Sequence, residues 1–195
     1  MSEILKNYFQ KVLPDFTDEK FNFILYKSKL IKLQRKETIC KQGDICNLKI
    51  FVAKGLLRNY SISEDGNEHI LQFVNEMSWT TDPESFYNNA PSKLNIEAME
   101  ASDIFAFNLE DFAELREQIP ELNIFVENIL TRKSMEIHRR LLMNISSSPE
   151  EKYLDFINTY PDIFNRVPLH MVASYLGLSR ETLSRVRRNI LKTVL

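Results

Sequence analysis

Glycine is scarce in this sequence: four residues of 195, against the roughly 7% of average usage. With Gly43, Gly55, Gly66 and Gly177 alone, it holds neither the glycine-rich fingerprint of a dinucleotide-binding turn nor a Walker loop. Cysteine is scarcer still. Cys40 and Cys46 are too few for a disulfide framework or a four-thiolate cluster and read as reduced strand or loop residues, in line with a reducing cytosol. No apolar run reaches the roughly 18 residues that span a bilayer, and the N-terminus lacks the basic-then-apolar layout of a signal peptide. The expectation is a soluble, cytoplasmic protein with no membrane partner. Three histidines, His69, His138 and His170, leave only one in the strand-rich region. A metal-dependent barrel enzyme needs clustered His and carboxylates, so neither a metal site nor a catalytic residue is expected.

What is present suits one large domain or two small ones. The chain is 44% apolar and 27% charged, with 25 basic and 27 acidic residues, a composition that supports a packed core. Three textures follow one another. Residues 4–28 show helical spacing, as in Phe21, Ile24 and Leu25 after Asp18-Glu19. Residues 29–108 read as seven or eight short strands. Leu94, Ile96 and Ala98 alternate with Asn95, Glu97 and Met99, and Leu56, Tyr60 and Ile62 alternate likewise. Leu48-Lys49-Ile50-Phe51-Val52 and His69 to Val74 supply apolar neighbours, and Asp65-Gly66 reads as a type I′ hairpin turn. Such spacing predicts a sandwich or jelly-roll barrel.

From residue 109 the pattern is helical. Asn108 caps a helix that the Pro120 region interrupts, and a segment free of Gly and Pro runs from Glu121 to about Ile145. A helix of some 24 residues is about 36 Å long, more than a small barrel needs for cover. Leu122, Val126, Ile129, Leu130, Ile137 and Leu141 recur along it at threes and fours. This stripe reads as a dimer seam in preference to a core-packing helix, with Arg132, Glu136, Arg139 and Arg140 as its solvated flank. Ser148-Pro149-Glu150-Glu151 then starts another helix. The expected division is a barrel with flanking helices over 1–118, a dimerisation helix over 119–147 and a further domain over 148–195.

In that last part Leu169, Val172 and Leu176 lie on one face of a short helix that stops at Gly177. Ser179 caps a second helix whose core face is Leu183, Val186 and Ile190, with small Ala173 at the crossing. The spacing is that of a helix-turn-helix. Glu181, Ser184, Arg185, Arg188 and Lys192 project opposite the core face, and Arg180 reaches out from the tip. Arginine bonds both acceptors of guanine and glutamate accepts from cytosine, while Arg187 lies nearer the core, placed for phosphate or for snorkelling. Residues 149–195 carry seven basic and five acidic groups, a net +2 that leaves −4 in the rest of a chain at −2. A basic end on an acidic body presents one face to DNA.

A β-rich first half, a long connecting helix and this C-terminal motif together resemble the cyclic-AMP receptor protein / fumarate–nitrate regulator (Crp/Fnr) family. The most specific stretch is Leu178-Ser179-Arg180-Glu181-Thr182-Leu183-Ser184-Arg185. The resemblance implies an α+β fold with an N-terminal double-stranded β-helix of cyclic-nucleotide-binding type, a long dimerisation helix and a C-terminal DNA-binding domain. It implies base readout by Arg180, Glu181 and Arg185, with Ser179 and Thr182 on phosphates; their places on the same helix add Ser184, Arg187, Arg188 and Lys192 as expected phosphate contacts. Its implied partners are double-stranded DNA with a palindromic operator, a second copy of the chain, and RNA polymerase if the protein activates.

Three departures from the family pattern qualify this. In the family's ligand cassette a Gly-Glu pair and an arginine grip the cyclic nucleotide, yet no arginine occurs here between Arg58 and Arg116. Glu76, Trp79, Ser92 and Lys93 remain as the candidate effector pocket, with an unidentified small molecule as effector and no tight binding of cyclic AMP. Two cysteines cannot supply an oxygen-sensing cluster, and His69 gives little support to haem. The sequence also ends at Leu195, so the wing that usually follows the recognition helix is expected to be truncated. A sequence-specific homodimeric regulator is the leading reading; the alternative is a sensing module whose DNA binding has decayed.

Overall fold

The computed structural model describes residues 1–194, with side chains described as far as Ile190. The helical texture at the start is two helices, α1 (Ser2–Val12) and α2 (Asp18–Tyr26), because Thr17 accepts the Lys20 N–H and caps a new start. Eight strands follow: β1 (Lys29–Leu33), β2 (Thr38–Cys40), β3 (Leu48–Lys54), β4 (Leu57–Ile62), β5 (Glu68–Val74), β6 (Ser78–Thr80), β7 (Asn95–Ala98) and β8 (Ser102–Asn108). They form two four-stranded antiparallel sheets in the orders β1-β8-β3-β6 and β2-β7-β4-β5, the jelly-roll that the sequence predicts. A short helix, α3 (Pro83–Asn88), capped by Asp82, stands between β6 and β7 where the sequence reading had only strand and turn.

The β4–β5 hairpin differs from the expected type I′ turn. Asp65 does not take a positive φ; Gly66 does, and its N–H bonds the Ser63 carbonyl at 2.9 Å, with Ser63 N–H on the Asn67 carbonyl at 3.1 Å. The loop is thus the three-residue kind, in which a turn is followed by one left-handed residue.

Strand alternation sorts the barrel residues into layers. Ile50, Val52, Leu57, Val74, Ile96, Ala98 and Ile104 fill the space between the sheets. Phe51, Trp79, Phe105 and Phe107 face outward from the first sheet and are roofed by α1, α2, α4 (Leu109–Gln118) and the start of α5 (Glu121–Ser146). Tyr60, Ile70 and Phe73 face outward from the second sheet and share a core with the C-terminal helices. These are α6 (Pro149–Thr159), α7 (Pro161–Phe164), α8 (Leu169–Leu176) and α9 (Arg180–Val194). The capping box at Ser148 is present, its hydroxyl accepting the Glu151 N–H while the Glu151 carboxylate takes the Ser148 N–H.

The stripe read as one seam along α5 divides in two. Leu122 and Val126 are buried in the chain's own core, 2% and 4% exposed, because the aromatic outer face of the first sheet needs cover. Leu130, Ile137 and Leu141 are 50%, 65% and 56% exposed, with Met135, Leu142 and Ile145 beside them. The supposed solvated flank is in part pinned down: Arg139 pairs with Asp155, Glu136 accepts the Tyr160 hydroxyl, and Arg140 reaches the carbonyls of Ile70, Leu71 and Tyr175.

Candidate DNA-reading face and effector cavity

α8 ends at Gly177, left-handed at φ 66°, with the Leu178 N–H returning to the Ala173 carbonyl at 2.9 Å. A side chain with a Cβ enters that conformation only at a cost, so the glycine sets the sharp turn. Ser179 Oγ accepts the Thr182 N–H at 3.1 Å and lies 3.0 Å from Thr182 Oγ1, fixing the start of α9. Leu183 and Val186 are fully buried against Val172, Ala173 and Leu176, which locks the rotation of α9.

That rotation turns Arg180, Glu181, Ser184, Arg185 and Arg188 outward and leaves them exposed. Among the described residues no carboxylate pairs with Arg180, Arg185 or Arg188. Arg187 lies instead over the Phe164 ring, 5.8 Å from its centroid, on the core side of the helix. The side chain of Lys192 is outside the described residues. His170 is exposed on α8, His138 bonds the Ser134 carbonyl one turn back, and His69 meets Ser63; no group of three or more metal-ligating side chains occurs among the described residues.

The helical domain is docked on the barrel by polar contacts that the sequence did not reveal. Arg166, between α7 and α8, grips Glu76 at 2.9 and 3.0 Å and Glu100 at 2.6 and 3.3 Å. Burial works to raise the Glu76 carboxyl, but Arg166 and the Gly55 N–H hold it below its ordinary value. Ser174 of α8 accepts the Ile70 N–H at 3.0 Å and donates to the Glu68 carbonyl at 2.8 Å, so α8 lies on the free edge of β5. Arg140 of α5 stacks 3.9 Å over the Tyr175 ring while holding backbone carbonyls on both sides.

Next to this junction, between the barrel and the exposed half of α5, is a cavity of about 390 Å³ with a mostly apolar wall. The barrel side contributes Lys49, Asn59, Leu71, Trp79 and Thr80; α5 contributes Ile129, Lys133, Ile137 and Arg140. Of the four residues proposed from sequence for an effector pocket, Trp79 alone borders it. Glu76 is engaged by Arg166. Ser92 is buried, its hydroxyl 2.7 Å from the Asp82 carboxylate, and Lys93 pairs with Glu84 on the surface. Asp82 takes up these groups because it caps α3, a helix the sequence reading did not foresee.

Lys49, which the sequence places within an apolar strand, is 5% exposed and points to the same side as Phe51. Its ammonium lies 5.3 Å from the Phe112 ring centroid and 5.9 Å from those of Phe86 and Tyr87. Burial, with nearby Arg116 adding to it, pushes its pKa down to about 8. A lysine alternating with Phe51 on the strand face that the helices cover was the signal available in the sequence.

Residues 30–119 match the cyclic nucleotide-binding domain family. The transcriptional activator protein FnrA of Stutzerimonas stutzeri is 25% identical over 169 residues, covering 79% of this chain and 67% of its own. Among solved structures, FixK2 from Bradyrhizobium japonicum superposes with a TM-score of 0.74 at 14% identity, covering 85% of each chain. A transcriptional regulator of the Crp/Fnr family from Eubacterium rectale gives 0.71 at 17% identity, covering 96% of this chain and 88% of its own. At those identities the superpositions speak for the fold alone. Over residues 30–119 the chain carries a cyclic nucleotide-binding domain, and over most of its length it is similar to transcriptional regulators of the Crp/Fnr family.

Proposed function

We propose that two copies of this chain pair through the exposed half of α5 and read a palindromic operator in double-stranded DNA with their α9 helices. The observation that carries this is the outward face of α9, where Arg180, Glu181 and Arg185 are exposed on a helix whose rotation Leu183 and Val186 fix. In the major groove these three would read base edges. Ser179, Thr182, Ser184, Arg188 and Lys192 would lie along phosphates, with Arg187 contributing only by leaving Phe164. Leu130, Ile137 and Leu141 supply the apolar area that pairing would bury.

The same reading makes the cavity beside α5 the effector site, in a cytoplasmic regulator that is not an enzyme. Cyclic AMP is a poor fit, since no arginine borders the cavity from the cassette side. Where a bound regulator activates, RNA polymerase is the further partner. Selection of bound duplexes from a random pool, followed by gel-shift titration, tests the proposal. Enrichment of a palindrome with half-sites about one DNA turn apart is expected. Failure to enrich one, with unchanged binding when Arg180 and Arg185 are both alanine, overturns it in favour of a sensing module without DNA recognition.

A further inference from the structure

The cavity wall is mostly apolar, but its charged groups are unbalanced. Lys49, Lys133 and Arg140 border it against one carboxylate, Glu136. Two of the three cations already have work: Lys133 pairs with Glu136 at 3.2 Å, and Arg140 holds three backbone carbonyls. Glu136 in turn accepts the Tyr160 hydroxyl. Lys49 differs. Its ammonium has no carboxylate or hydrogen-bond partner among the described residues and is surrounded by aromatic rings. Also on the wall, Asn59 donates to Thr80 Oγ1 at 2.7 Å while its own Oδ1 has no partner among the described residues.

A buried cation with no counter-charge is costly to the fold, as is a buried acceptor left unbonded. Cation–π contact with three rings offsets part of the first cost and nothing offsets the second. Both are relieved by one kind of occupant. We propose that the cavity takes a small apolar anion, its charged group against Lys49 and a hydrogen-bond donor toward Asn59. This rests on the reading of the cavity as the effector site.

The single tryptophan of the chain, Trp79, borders the cavity and gives a built-in readout. The probes are 1-anilinonaphthalene-8-sulfonate, an apolar anion with an N–H donor, and N-phenyl-1-naphthylamine, the same scaffold without the sulfonate. Each is titrated against the full chain by energy transfer from Trp79, with Lys49→Met and Lys49→Gln made side by side. The wild-type protein should favour the sulfonate, more so at low salt, and the ratio of the two affinities should fall about tenfold or more in both variants, the scale of a lost charge-assisted hydrogen bond. Equal binding of the two probes by wild type, or a ratio unmoved in a folded Lys49 variant, overturns the anion inference and leaves the cavity reading standing. Absence of energy transfer from Trp79 to either probe overturns both.

Discussion

Replacing Arg166 by alanine should release the helical domain from the barrel without unfolding either. The guanidinium makes paired contacts with Glu76 and Glu100, on two separate loops of the barrel. The side chains are partly open to water, 23% for Arg166, 37% for Glu76 and 42% for Glu100, so each pair is screened and contributes no more than about 1 kcal/mol. Two pairs with paired geometry give about 1–2 kcal/mol, and the loss leaves two carboxylates facing each other with no cation between them. At ~1.4 kcal/mol per factor of ten, the open fraction of the junction should rise roughly 5- to 30-fold.

The Ile70 amide is the natural reporter, because its hydrogen bond goes to Ser174 of α8. Native-state hydrogen exchange should show Ile70 exchanging faster by that factor in the variant, while amides of the β3–β8 ladder keep their wild-type rates. The effect also has a pH signature. Glu76 is held below its ordinary value, so its share of the docking energy is complete above the pKa of the undocked carboxyl and is lost as pH falls through the lowered, docked value. The difference between wild type and Arg166→Ala should be full at neutral pH and shrink on acidification. Exchange at Ile70 within a factor of two of wild type at neutral pH refutes the reasoning.

Arg185→Ala should weaken operator binding by about 1–3 kcal/mol and relax the preference at one base position, measured by gel shift on the selected site and its single-base variants. Ile137→Arg puts a charge into the exposed apolar stripe of α5; sedimentation should show a monomer, and an unchanged dimer would move the interface elsewhere. Gly55→Ala places a Cβ 2.2 Å from Ser102 Oγ and 2.8 Å from its Cα, at φ +95°, so neither backbone nor neighbour accommodates it. A loss of about 1–3 kcal/mol is expected from the denaturant midpoint, and a change under about 0.5 kcal/mol would refute it.

The helix-turn-helix was legible because its signals are local. A glycine at the stop, a serine at the next start and apolar residues at threes and fours specify α8, the turn and α9 with no help from the rest of the chain. The barrel was legible as strands at short intervals, though not as an order of sheets. What escaped was settled by partners distant in sequence. Nothing near Arg166 announces Glu76, 90 positions away, and nothing near Lys49 announces the rings of Phe86 and Phe112. Glu76 carries the clearest lesson. The sequence places it in a candidate effector pocket, and its carboxylate instead holds two parts of the chain together.

α5 shows why periodicity alone misassigns such a helix. One repeat of apolar residues runs its whole length, yet the surroundings change every two or three turns. At the start Leu122, Phe125 and Val126 complete the core over the first sheet. Midway Ile129, Lys133 and Ile137 form a cavity wall. Glu136, Arg139 and Arg140 fasten the helical domain, while Leu141 and Ile145 stay open. Arg140 belongs to two of these settings, bordering the cavity and bonding the carbonyls of Ile70 and Tyr175. The cavity and the seat of α8 therefore share one side chain, whose guanidinium bridges a carbonyl of β5 and a carbonyl of α8.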